Sequence, residues 1–141
     1  MGASINVQGN LKEIEIQRDG KVVGSIFFDP TDPSIIDRLI KARETLENTP
    51  VPSVTDNEPI TETIAKMRAA DKVVRDAVDY AFAYPCSDVV FGDGYAISTR
   101  NGVSKFEQFL DGAWDIIVKS MDEEVKTASK RQAKYLAKYG K

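Results

Sequence analysis

The sequence predicts an α+β fold, in which an N-terminal antiparallel β-hairpin or small sheet packs on three main α-helices. Residues 12–28 alternate apolar and polar side chains on both sides of an Asp-Gly pair, as a β-hairpin does. Three later stretches repeat apolar residues at helical spacing. The chain has 141 residues, of which 42% are apolar and 29% charged, which is typical of one globular domain.

The strands are predicted within residues 5–28. "KEIEIQR" places Ile14 and Ile16 on one face, and Asp19-Gly20 predicts a tight turn because both central residues of such a turn need positive φ. "VVGSIFF" then forms the returning strand, and "SINV" at residues 4–7 is a candidate edge strand.

The first helix is predicted to begin at Asp32 and Pro33 and to end near Asn48. Asp32 is a favourable N-cap, and proline suits the first helical position because its missing N–H needs no partner there. The predicted apolar stripe consists of Ile36, Leu39, Ile40, Arg43 and Leu46.

The second helix is predicted from Pro59 to about Phe82, with Asp71 as the one polar interruption of its apolar stripe. The third is predicted over residues 104–121, where Ser104 and Glu107 have the spacing of a capping box. Its apolar face is the strongest in the chain and comprises Phe106, Phe109, Leu110, Ala113, Trp114, Ile117 and Met121.

The domain organisation follows from composition. Residues 1–121 are predicted to form a single α+β domain, interrupted at about 49–58 by a mobile, proline-rich loop. Residues 122–141 carry net charge +3, whereas residues 1–121 carry −6. Because the last twenty residues have high helix propensity and few apolar side chains, we expect a basic helical tail rather than a core element.

Composition argues against an enzyme. The chain contains no histidine, which is the usual general base near neutral pH and the commonest transition-metal ligand. With a single cysteine as well, a zinc site has almost no ligands and a catalytic thiol lacks its usual base. The sequence therefore predicts no catalytic residue, no metal and no cofactor.

The stretch "YPCSDVVFGDGYAIS" at residues 84–98 is the most tempting chemical motif. Asp88 and Asp93 do not alternate with further oxygen ligands as a calcium loop requires, and the stretch lacks the glycines and lysine of a phosphate loop. We expect "SDVVF" to be a helical turn capped by Ser87, with Phe91 in the core and Cys86 as a small buried residue. "DGYAIS" is expected to lead into a short strand that joins the N-terminal sheet.

Two segments together resemble a family of phage proteins. "VVRDAVDYAFAYPCSDVVFG" at residues 73–92 and "FEQFLDGAWDIIV" at residues 106–118, preceded by a hairpin ending in "FFDPTD", resemble the small tail assembly chaperones of long-tailed phages and prophages of Gram-positive hosts. The genes of these chaperones typically lie just upstream of the gene for the tape-measure protein.

The resemblance implies a non-catalytic role. Many copies of such a chaperone are thought to coat the apolar helix of the tape-measure protein until tail-tube subunits displace them. It implies that the tape-measure protein is the partner. Independently of the resemblance, the basic tail is a candidate to dock on an acidic neighbour, including a second copy of this chain, so a homo-oligomer is a further expectation. The candidate contact residues, each of which is equally a candidate for the core, are Phe82, Phe91, Phe106, Leu110 and Trp114.

Two other functions are compatible with the sequence. One is a phage tail or connector protein that stays in the virion. The other is a nucleic-acid-binding accessory protein that uses the basic tail, where tyrosines lie between lysines and an arginine. No apolar run has membrane-spanning length, the N-terminus lacks the pattern of a secretory signal, and one cysteine forms no internal disulfide. We therefore expect a cytoplasmic protein of a bacterial host cell, without a membrane partner.

Overall fold

A computed structural model, which describes residues 2–50, 52 and 57–139, has the predicted α+β class. A hairpin is followed by two long helices, a short helix, a second small hairpin and one very long helix. In chain order these elements are β1 (Lys12–Arg18), β2 (Lys21–Phe28), α1 (Ser34–Glu47), α2 (Ile60–Phe82), α3 (Ser87–Phe91), β3 (Thr99–Arg100), β4 (Val103–Ser104) and α4 (Lys105–Tyr139). Half of the loop predicted to be mobile at 49–58, namely residues 51 and 53–56, lies outside the described residues.

The N-terminal hairpin is confirmed. Asp19 and Gly20 both have positive φ, 53° and 81°, as the predicted tight turn requires. Ile14 of β1 pairs with Ile26 of β2, and the apolar face of the hairpin packs on the core. The prediction of an edge strand at residues 4–7 is wrong, because these residues form no strand and their side chains are exposed.

The strand predicted from "DGYAIS" is also misplaced. β3 and β4 pair only with each other in a separate two-stranded sheet. The backbone before them is satisfied locally, because the N–H groups of Lys105 and Phe106 donate to the carbonyls of Ser98 and Ala96 at 2.9 and 3.0 Å. This segment is therefore hydrogen-bonded to the first residues of α4 and does not join the N-terminal sheet.

Helix α1 begins and ends close to the predicted residues. The Asp32 carboxylate accepts a hydrogen bond from the Ser34 N–H at 2.9 Å, which caps the helix as expected. Its buried face is rotated from the predicted stripe and consists of Ile35, Leu39 and Ala42. As a consequence, Ile40 is 50% exposed and lies at the surface.

The core lies between the hairpin, helices α1, α2 and α3, and the first half of α4. The ring of Phe82 contacts Phe28 at a centroid distance of 5.0 Å and Phe109 at 5.3 Å. Phe91 from α3 approaches Phe109 at 6.1 Å. Aromatic side chains from four elements therefore hold one core together.

Helix α4 continues without a break through the predicted boundary between domain and tail. Its start is capped as predicted, since the Glu107 N–H donates to the Ser104 hydroxyl at 3.0 Å. Residues 122–138 are helical and all exposed. Near residue 121, α4 therefore stops packing against the core but continues as a helix. The whole helix is about 50 Å long.

Candidate functional site

The connection between α2 and α3 is held by a carboxylate whose place on a charged helix suggests only a solvated surface residue. Asp79 of α2 accepts hydrogen bonds from the N–H groups of Cys86 and Ser87 at 2.9 and 2.8 Å, and from the Ser87 hydroxyl at 3.1 Å. Ser87 is thus the first residue of α3 and not its cap, which corrects the prediction. Asp79 satisfies the free N–H groups at the start of this short helix.

A buried ion pair on α2 holds the glycine-rich segment after α3. Asp71 accepts hydrogen bonds from the Ala96 N–H at 2.7 Å and from Arg75 Nε at 2.9 Å. Arg75 in turn donates to the carbonyls of Gly92 and Gly94, both at 2.6 Å. The polar interruption of the α2 stripe is therefore an anchor for the chain between α3 and β3.

The two aspartates of residues 84–98 are exposed, and the cysteine is buried. Asp88 pairs with Arg75 at 2.9 Å, with its carboxylate 95% exposed, and Asp93 is exposed. Cys86 is buried as predicted, and desolvation, together with the nearby Asp79 carboxylate, raises the pKa of its thiol to about 12. Such a thiol is protonated at neutral pH and is not a nucleophile. In the part of the chain that the structure describes, no three acidic or thiol side chains cluster as metal ligands would.

The structure divides the five candidate contact residues into two groups. Phe82, Phe91 and Phe106 are buried in the core, where no partner can reach them in this conformation. Leu110 is half-buried, and Trp114 is 44% exposed at the surface of α4. Only Leu110 and Trp114 remain available to a partner.

These two residues line an apolar groove between α1 and α4, with a volume of about 450 Å³. We call it the α1–α4 groove. Its floor consists of Leu39, Ile40, Leu46, Leu110 and Trp114. Charged side chains form its rim, namely Arg43, Glu47, Glu107 and Asp111. An apolar floor with a polar rim is the usual anatomy of a protein-binding surface.

Sequence reasoning missed the α1 side of this groove. Ile40 and Leu46 belong to the predicted apolar stripe of α1; Leu46 packs against the core as that stripe predicts, whereas Ile40 is exposed in the groove. The strongly apolar face of α4 is the available signal, because surplus apolar surface usually marks an interface. Which residues stay uncovered depends on how α1 and α4 are placed beside each other in the fold.

A second cleft, of about 500 Å³, lies between the hairpin turn and the start of α4. Its cations are Arg18, Arg100 and Lys105, and Glu15 and Asp19 line the same cleft. The Arg18 guanidinium is engaged with the Val89 carbonyl at 2.9 Å. This mixture of charges gives the cleft no field of one sign, so it is a weaker candidate than the α1–α4 groove.

A comparison of the chain with protein-family models finds no match. Searches of curated proteins and of solved structures also find none. Within residues 2–50, 52 and 57–139, no helix combines the length and the apolar character needed to cross a bilayer.

Proposed function

We propose that the protein is a non-catalytic tail assembly chaperone of a phage or prophage, which binds an apolar helix of the tape-measure protein in the α1–α4 groove. The observation that carries the proposal is the groove itself, where two apolar floor residues, Trp114 and Ile40, are 44% and 50% exposed. The resemblance of residues 73–92 and 106–118 to such chaperones supports the same role.

The shape and charge of the groove favour one kind of partner. A floor built from two helices suits the apolar face of a third, which is a common mode of peptide recognition. The rim carries Glu47, Glu107 and Asp111 against the single cation Arg43. A helix with lysine or arginine beside its apolar face therefore fits this groove best.

The small size of the groove suits a chaperone that is later displaced. Each contact is weak, but many copies along one long helix protect it together, because every site on that helix can be occupied. Tail-tube subunits can then remove the copies one by one. The acidic residues 1–121 keep such a complex dispersed through their net negative charge.

Co-expression with the tape-measure protein tests this proposal. We expect the tape-measure protein to be soluble with the wild-type chain and to aggregate with the Ile40→Glu variant, which places a charge on the groove floor. Val22→Glu is the matched control, because Val22 is 57% exposed on the hairpin and lies outside the groove. Equal solubility of the tape-measure protein with and without this chain contradicts the chaperone role.

A tail or connector protein retained in the virion is separated from a chaperone by mass spectrometry of purified particles. A chaperone that tail-tube subunits displace is absent from finished virions. A stoichiometric amount of this chain in the particles would instead assign it to the virion.

Nucleic-acid binding is the second candidate, favoured by the basic half of α4. Lys130, Arg131 and Lys134 are exposed on a helix that extends past the body. Binding to phosphates weakens steeply with salt, so a titration with DNA at low and moderate ionic strength measures it directly. Absence of binding at low ionic strength eliminates this candidate.

A further inference from the structure

The second half of α4 carries a stripe of mostly apolar side chains that are exposed except at Met121. Starting after the groove, its residues recur at alternating spacings of three and four, the heptad pattern of paired helices. We call this set the distal stripe, in which Gln132 is the amide member and Met121 packs partly against the core. The set comprises Val118, Met121, Val125, Ala128, Gln132 and Tyr135. The side chains of Val118, Val125 and Tyr135 are 50%, 63% and 61% exposed.

A single helix of this kind is poorly stabilised by itself. Residues 122–138 are exposed throughout, so little tertiary packing supports this part of α4. Isolated helices of about 15 residues are marginal in water. Covering the distal stripe would add the apolar burial that this half of the helix lacks.

The charges along α4 indicate which partner fits. Residues 111–124 contain five acidic side chains and one lysine, whereas residues 125–138 contain five basic side chains and no acidic one. Two copies of α4 in parallel would align acid with acid and base with base. Two copies in antiparallel orientation would place the acidic half of each against the basic half of the other.

We propose that two copies of this chain pair through an antiparallel contact of their distal stripes. With Val125 of one copy opposite Ala128 of the second copy, the flanking Glu124 lies against Arg131 of the second copy, and the same contact occurs twice by symmetry. The two bodies then lie at opposite ends of the helix pair. The inference depends on α4 alone and not on the proposed chaperone role.

Charge reversal tests the pairing in the full-length protein by sedimentation equilibrium over a concentration series. Glu124→Arg and Arg131→Glu are each expected to weaken dimerisation roughly tenfold, because both symmetric contacts become repulsive. The double variant restores the charge pairs and is expected to return to near the wild-type Kd. Lys130→Glu is the matched control, because it makes the same change of charge on the outer side of the helix pair.

We expect these variants to fold like the wild type, because the substituted side chains are not buried. Glu124 and Arg131 are exposed, and Glu124 accepts one surface hydrogen bond, from Asn10 at 3.3 Å. A wild-type chain that stays monomeric across the concentration series overturns the proposal. So does a dimer that Arg131→Glu weakens no more than Lys130→Glu does.

Spin labels distinguish the orientation of the helices. In the proposed register, labels on Thr127→Cys are offset by about 2 Å along the axis and labels on Ala137→Cys by about 30 Å, from the rise of 1.5 Å per residue. A parallel pair gives short distances for both variants, which overturns the antiparallel assignment. The labels attach to the introduced cysteines because Cys86 is buried.

Discussion

The connection between α2 and β3 and the exposed half of α4 differ in what their most conspicuous residue types do. Residues 83–98 hold the cysteine, two aspartates and two glycines. Yet the interactions that fix them are structural, because Asp79 accepts from the Ser87 N–H, and Asp71, paired with Arg75, accepts from the Ala96 N–H. The end of α4 is rich in charge and presents exposed apolar side chains at heptad spacing. In this molecule, the residues that suggest chemistry are held by structural hydrogen bonds. The exposed apolar side chains are the candidates for a functional surface.

The largest effect expected at neutral pH is the loss of the anchor on α2. Asp71→Ala leaves Arg75 and the Ala96 N–H without their buried acceptor, and we expect the free energy of unfolding to fall by roughly 3 kcal/mol. Urea denaturation measures this change. Asp76→Ala is the control, because the exposed Lys72–Asp76 pair contributes at most about 1 kcal/mol. Similar losses in both variants would show that Asp71 is no more than a surface charge.

A smaller effect is expected at the cap of α3. Asp79→Ala removes the acceptor of the Cys86 and Ser87 N–H groups and should lower the free energy of unfolding by roughly 1–2 kcal/mol. Asp79→Asn keeps an oxygen acceptor and should recover part of the loss. Thermal unfolding of the three proteins compares them. An unchanged midpoint for Asp79→Ala would mean that α3 does not depend on this cap.

The buried thiol predicts a dependence of stability on alkaline pH. The pKa of Cys86 rises from its ordinary 9.0 to about 12 in the folded protein. The unfolded chain therefore releases this proton first, and the stabilisation present below about pH 9 is lost as the pH rises from 9 toward 12. The loss is about 1.4 kcal/mol per pH unit at its steepest.

Comparison with Cys86→Ala isolates this contribution, since lysines and tyrosines titrate in the same range. The variant should show a shallower decline of the unfolding free energy above pH 9. Parallel declines for the two proteins would mean that Cys86 titrates normally, and hence that the connection is open to solvent.

The smallest effect is expected from removal of residues 122–141. Because residues 122–138 are exposed, the truncated monomer should unfold within about 0.5 kcal/mol of the full chain at concentrations where neither dimerises. Circular dichroism should show the lost helix without a change in the unfolding midpoint. A loss as large as that of Asp71→Ala would place the tail in the core of the fold.

Signals that are local in sequence predicted much of the fold. The Asp19-Gly20 turn, the Asp32 cap and the Ser104 cap each depend on residues at most three positions apart, and all three occur in the structure. Helix boundaries followed because caps and prolines act on the backbone next to them. These interactions form in the same way whatever the rest of the chain does.

Features that depend on distant residues were not predictable. Asp71 and Arg75 have the spacing of an ion pair, but the Ala96 N–H that Asp71 binds is 25 residues away. The exposure of Ile40 and Trp114 depends on how α1 and α4 are placed beside each other in the fold, which periodicity does not determine. The candidate groove arises from this placement, so sequence reasoning identified Leu110 and Trp114 but missed their neighbours on α1.

Trp114 provides the most direct test of the claim that apolar surface is the working part of the molecule. It is the single tryptophan of the chain and lies in the α1–α4 groove, so its emission reports occupancy of the groove. Titration with a peptide from an apolar helix of the tape-measure protein should shift this emission to the blue and saturate. Ile40→Glu should abolish the shift, and Val22→Glu should preserve it. Binding that leaves the emission of Trp114 unchanged, or that survives Ile40→Glu, would contradict the assignment of the groove.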